Sequence, residues 1–199
     1  MARANFVKKA QKTIYQQGKV VSYVSKKGKR EGQTLSKRDR TIPYDENDPI
    51  TIVKGESYYW WEFMNGGLHI SKTQPRQSQL TQSEYLSSVY EFGERIGDVS
   101  FTEVGDLESF VEDLKSDVEN LKSETEDRLS NMPDSLQESP NGQLLQERID
   151  ALDNALSELE NIDCEFEEGE EGETEEEKEE RLSTHLQEKL EELQQVSFE

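Results

Sequence analysis

The chain has 199 residues and a formal net charge of −21, with 31% hydrophobic and 34% charged residues. An apolar fraction this far below that of an ordinary globular domain excludes one large core spanning the chain. No apolar run reaches the roughly 18 residues of a membrane span, and residues 1–20 lack the apolar block of a secretion signal.

Residues 4–17 predict a short basic helix. Phe6, Ala10 and Ile14 recur at i, i+4 and i+8, Gly18 stands at a C-terminal cap, and Lys8, Lys9 and Lys12 occupy another face. Val20, Val21, Tyr23 and Val24 read as a strand. Lys26 to Gly32 reads as a turn or basic loop, because two glycines stand among charges. Residues 45–49 are a loop by composition.

The densest apolar patch follows. Ile50, Ile52 and Val53 precede Tyr58-Tyr59-Trp60-Trp61-Glu62-Phe63-Met64, a run of strand-favouring aromatics. Asn65-Gly66-Gly67 signals a hairpin, and Leu68 to Thr73 pairs back as the return strand. Alternation puts Tyr59, Trp61 and Phe63 on one face and Tyr58, Trp60 and Met64 on the other. One set packs on a following helix; the other meets a ligand or is covered by the N-terminal segment. Thr81 with Glu84 three residues on predicts a capping box, and the helix runs to about Arg95 with Tyr85, Val89 and Phe92 on one side.

From Gly105 the period becomes helical. Leu107, Val111, Leu114, Val118 and Leu121 form a heptad-like seam. A second segment, with Pro140 in its first turn, carries Leu144, Leu145, Ile149, Leu152, Leu156, Leu159 and Ile162. A third carries Leu182, Leu186, Leu190 and Leu193. Between the last two, 12 of the 18 residues from Asp163 to Glu180 are acidic, which predicts disorder.

The expected fold class is α+β: a small antiparallel hairpin or sheet with a helix, then an acidic helical hairpin or coiled coil. The expected divisions are a basic arm (1–44), an aromatic hairpin module (45–98), a helical hairpin (104–162), an acidic linker (163–180) and a C-terminal helix (181–199).

Charge is distributed unevenly. Residues 1–44 hold 12 Lys+Arg against Glu31 and Asp39, whereas residues 81–199 hold 8 against 37 acids. Such asymmetry points to a basic arm for nucleic acid and an acidic tail. The candidate nucleic-acid-binding residues are Lys8, Lys9, Lys12, Lys26, Lys27, Lys29, Arg30, Lys37, Arg38, Arg40, Trp60, Lys72 and Arg76.

Nothing predicts an enzyme, cofactor or metal centre. The motifs G-x-x-x-x-G-K-[ST], G-x-S-x-G, H-E-x-x-H and C-x-x-C are all absent. His69 reads as a surface or internally satisfied strand residue, and His185 as a surface histidine in an acidic helix. Nearby carboxylates are expected to raise the Cys164 thiol pKa. That single cysteine cannot form an internal disulfide and fits a reducing cytoplasm.

Residues Glu56 to Phe63 and Gly66 to Thr73, followed by a helix, resemble the arm-type (AP2-like) DNA-binding module at the start of many phage integrases, over about residues 50–95. The resemblance implies a three-stranded sheet that enters the DNA major groove. The Asn65-Gly66-Gly67 turn lacks that family's basic residue, and no recombinase catalytic domain follows. The overall organisation also looks like small uncharacterised proteins of phages and mobile elements.

The expected function is therefore non-enzymatic binding of nucleic acid or a ribonucleoprotein. The acidic half serves self-association through residues 106–162 and 181–196, or recruits a partner. Two alternatives stand beside it: an acidic DNA mimic that sequesters a basic protein, and a structural component of a phage particle.

Overall fold

A computed structural model describes residues 1–11, 13–17, 20–25, 28–29, 51–64, 67–167 and 174–198. The chain divides into two compact units, Met1–Ser87 and Ser88–Glu199. Its class is α+β, with antiparallel sheets near the N-terminus and helices thereafter.

The first unit holds two sheets. One contains β1 (Asn5–Val7), β6 (Tyr58–Phe63) and β7 (Gly67–Ser71), in the order β1-β6-β7. The other contains β2 (Thr13–Gln17), β3 (Val20–Ser25), β4 (Gly28–Lys29) and β5 (Thr51–Ile52), in the order β4-β3-β2-β5. The β6–β7 hairpin forms where the aromatic run and the glycine turn predict it. Trp60 pairs with Ile70, Trp61 with His69 and Phe63 with Gly67; Asn65 and Gly66 lie outside the described residues.

The predicted N-terminal helix is not formed; residues 5–7 and 13–17 are strands. The physical reason lies in the faces. Ala10 and Ile14 are buried, but Phe6 is 57% exposed, so the i, i+4, i+8 spacing marks no common face. Each strand finds a distant partner instead. Phe6 pairs with Tyr59, and Ile14 pairs with both Tyr23 and Ile52. The described strands of residues 5–7 and 13–17 thus belong to the same unit as the aromatic hairpin.

Ala10, Ile14, Ile52 and Ile70 form the core of this unit, with Tyr58, Trp60 and Leu68 packed against them. The link between β5 and β6 is clamped to the link between β1 and β2. Ala10 N–H donates to the Glu56 carbonyl (2.7 Å), and Gly55 N–H donates to the Ala10 carbonyl (2.9 Å). Gly55 has φ 99°, the left-handed region that glycine adopts without a Cβ clash. The Glu56 carboxylate accepts from Val53 N–H at 2.7 Å, holding the turn closed.

Helix α1 (Glu84–Asp98) starts two residues later than a Thr81 cap predicts. Ser83 caps it, its Oγ accepting from Leu86 N–H at 3.3 Å, while Thr81 Oγ1 accepts from Ser83 N–H at 3.2 Å. The boundary between the units falls after the first four residues of α1.

The second unit is helical: the remainder of α1, α2 (Val104–Ser130), α3 (Asp134–Gln137), α4 (Pro140–Glu160) and α5 (Glu175–Gln195). The predicted α2 seam is buried in full, with Leu107, Leu114 and Val118 at 0% exposure, and Thr125 extends it. Helix α2 packs along α4. There the buried positions are Gly142, Ile149, Leu152, Ala155 and Leu159, and Ile162 is buried just beyond the helix. Leu144 is exposed, contrary to the predicted stripe, and Ala155 replaces Leu156 at the centre of the seam.

Part of the predicted acidic disorder is helix. Thr174 and Glu177 form a complete capping box, and Glu175, Glu176 and Glu177 fill the first turn of α5. Carboxylates are favourable there because they face the positive end of the helix dipole. Residues 168–173 lie outside the described residues.

Pro140 takes the first turn of α4, as the sequence predicts, and Ser139 caps the helix. Two positions beyond Pro140 lies Gly142, where a Cβ would stand 2.0 Å from the Gln137 backbone carbonyl oxygen. Backbone cannot yield as a flexible side chain does, so Gly142→Ala should destabilise the helical unit by about 1–3 kcal/mol. Gly105 has open space around its Cβ position, so Gly105→Ala in α2 is the control and should cost nothing. Urea denaturation followed by helical circular dichroism checks both.

Candidate functional site

The β1-β6-β7 sheet uses its two faces differently. One face carries Tyr58, Trp60, Leu68 and Ile70 and belongs to the core. The other carries Phe6, Tyr59, Trp61, Phe63 and His69, by strand alternation and by the pairs Phe6–Tyr59 and Trp61–His69.

These rings touch in sequence. Phe6 and Tyr59 have centroids 5.0 Å apart. Trp61 stacks on His69 at 5.4 Å and 12°, and Phe63 meets His69 edge-on at 5.2 Å. Exposure falls along the strip, from Phe6 at 57% to Trp61 at 5%. His69 is thus a stacked member of an aromatic face rather than a lone surface residue. The Trp61 Nε1 donor is buried and has no hydrogen-bond partner among the described residues.

The candidate basic residues divide into three groups. Lys8 and Lys9 are exposed directly after β1, with Arg3 exposed just before it. Among the described residues, no carboxylate pairs with Lys8 or Lys9. Lys72 and Arg76 are exposed beyond β7, and Lys72 lies 3.8 Å from the Glu56 carboxylate, so part of its charge is answered. Lys12, Lys26, Lys27, Arg30, Lys37, Arg38 and Arg40 lie outside the described residues. Lys29 is described only in its backbone, paired with Val24.

Trp60 is half-buried and lies on the core face of the sheet. It packs against the cluster of Ala10, Ile14, Ile52 and Ile70, so the N-terminal segment covers its face. Sequence reasoning missed Phe6 and Arg3. Phe6 falls on a helical spacing with Ala10 and Ile14, and a period of two is hard to recognise in three residues.

In the second unit, Arg181 lies over the Phe166 ring at 4.4 Å and donates from Nη1 to the Glu167 carbonyl at 2.8 Å. His185 approaches the same ring at 5.4 Å. It is half-buried rather than a simple surface histidine, and its Nε2 has no hydrogen-bond partner among the described residues. Together these residues line an open cavity of about 710 Å³ with an acidic rim. Among the described residues, no three His, Cys, Asp or Glu side chains converge as a metal-ligand set. The Cys164 thiol is pushed up, as expected, but burial is the first cause and the Glu108 carboxylate the second. No helix among the described residues is long and apolar enough to cross a membrane.

Trp61 is the stability anchor of the aromatic face. Trp61→Ala should cost about 3–5 kcal/mol, read by chemical denaturation of the sheet signal. Glu177 offers a separate test in the helical unit. Its carboxylate accepts from the Thr174 N–H at 2.9 Å and the Thr174 hydroxyl at 2.8 Å, which holds its pKa below the usual carboxylate range. A lowered carboxyl pKa favours the folded cap above the usual range, and that contribution is lost as pH falls through the lowered value. Carboxyl-detected NMR titration should therefore give Glu177 a midpoint below that of a free glutamate, and Thr174→Ala should move it upward.

Searches against family models, curated proteins and solved structures returned no match for this chain.

Proposed function

We propose that this protein binds nucleic acid or a ribonucleoprotein through residues 1–87 and performs no chemistry on it. The observation that carries this reading is that charge divides where the structure divides. Residues 1–87 hold 15 Lys+Arg against 8 acids, a net +7; residues 88–199 hold 8 against 36, a net −28. A folded unit with a cationic excess supplies phosphate contacts, which set affinity without regard to sequence. The acidic unit then recruits a basic partner or serves self-association. The single cysteine fits action in a reducing cytoplasm.

The second reading is sequestration of a basic protein by the acidic unit. The net −28 of residues 88–199 favours it. Ionic strength weakens both complexes, so the partner decides between the two.

Fluorescence anisotropy of the full chain with labelled DNA and RNA, across a salt series, tests the preferred reading. Binding should weaken with log salt at a slope of about −0.7 to −0.9 per phosphate neutralised. Joint replacement of Lys8 and Lys9 by alanine should make that slope shallower by about two contacts. Affinity for DNA and RNA weaker than about 100 μM at 50 mM salt, below even ordinary nonspecific binding, would overturn the reading in favour of a protein partner.

A further inference from the structure

We propose that the Phe6–Tyr59 edge of the aromatic face of the β1-β6-β7 sheet is a stacking platform for single-stranded nucleic acid, with Phe6 as its leading ring. This inference rests on the nucleic-acid reading above and specifies which form of nucleic acid the unit takes and where.

Phe6 lies at the middle of a three-residue strand, yet 57% of it is exposed. The opposite sheet face is occupied by the core, so the exposed ring is no remnant of a poorly packed interior. Its neighbour is fixed: Tyr59 is its cross-strand partner and stands at 5.0 Å. Farther along the face, the Trp61–His69 stack ties β6 to β7 and makes the strip rigid. A ring presented on a rigid sheet loses little side-chain freedom when a base stacks on it.

Charge identifies the occupant. Arg3 precedes Phe6 by three residues, and Lys8 and Lys9 follow by two and three; all are exposed. No acidic residue occurs between Met1 and Lys12. An apolar π-surface bracketed by cations complements a chain whose bases offer π-faces and whose linkers carry phosphate. A purely apolar peptide would leave these cations unanswered, and a purely acidic one would leave the ring unmatched.

The ring also selects the form of the polymer. Phenylalanine has no donor or acceptor with which to read base edges in a groove. A duplex keeps its base faces stacked on one another and would have to be wedged open to meet the ring. A single strand presents those faces freely, and stacking on an aromatic side chain tolerates any base.

The test uses the full chain with labelled dT12, rU12 and a 12-base-pair duplex, by anisotropy from 50 to 200 mM salt. Single strands should bind about tenfold or more tightly than the duplex. Phe6→Ala should weaken single-strand binding about tenfold, within the range of one lost stacking contact. It should leave the salt slope and the duplex affinity unchanged and the sheet folded, because most of the ring is exposed. Phe6→Trp should restore binding.

Three outcomes overturn the inference. Equal affinity for single strands and duplex, with Phe6→Ala silent, leaves the charge reading intact and removes the platform. No binding to any of the three probes below about 100 μM at 50 mM salt removes the underlying reading as well. A self-associated chain that Phe6→Ala converts to monomer, by sedimentation, identifies the face as a surface for a second copy.

Discussion

Electrostatic self-repulsion constrains the whole molecule. With 36 acidic residues against 8 basic ones, the segment from residue 88 onward cannot build a broad core, and it folds around narrow apolar seams instead. Leu107, Leu114, Leu152, Leu159 and Leu193 reach zero exposure, while the carboxylates stay outside. The cations of this unit are largely taken by its own acids. Lys122 sits 2.6 Å from Asp153 on the facing helix, and the hydrogen bond to Asp153 holds its ammonium pKa above the usual lysine value. Arg95 pairs with Asp117, and Lys189 lies 2.9 Å from Glu192. Exposed pairs contribute little each, roughly 0–1 kcal/mol, so their effect is relief of repulsion more than attraction.

The N-terminal unit stands in contrast. Its cations are in excess, and Lys8 and Lys9 face no carboxylate among the described residues. Its stability comes from aromatic and aliphatic burial on both sides of a short sheet. Trp61 and Trp60 lie on opposite faces, and Phe6 and the flanking cations sit at the exposed periphery. Positive charge thus remains available where the fold does not need it.

Elements whose signal is local were legible from the residues alone. The β6–β7 hairpin announced itself through aromatic alternation and a glycine turn, and the α2 seam through its 3–4 spacing. The first strands were not legible, because each has a partner far along the chain: Phe6 meets Tyr59 and Ile14 meets Ile52. No local period encodes such pairing, and Phe6, Ala10 and Ile14 fell on a helical spacing by coincidence. The acidic run misled for another reason. Net repulsion argued against order, but Thr174 and Glu177 satisfy free backbone donors, and the dipole favours the glutamates that follow. The candidate site was half visible. Its flanking lysines were readable as charge, whereas the outward aromatic ring needed the sheet register to reveal it.

The claim that binding resides in the N-terminal unit is tested most directly by mapping the contact on the intact chain. Titration of isotope-labelled protein with dT12, followed by amide chemical shifts, should perturb Arg3 to Lys9 and the paired segment around Tyr59. Shifts along α2, α4 and α5 should stay still. Perturbations confined to residues 88–199, or none at saturating oligonucleotide, would contradict the assignment.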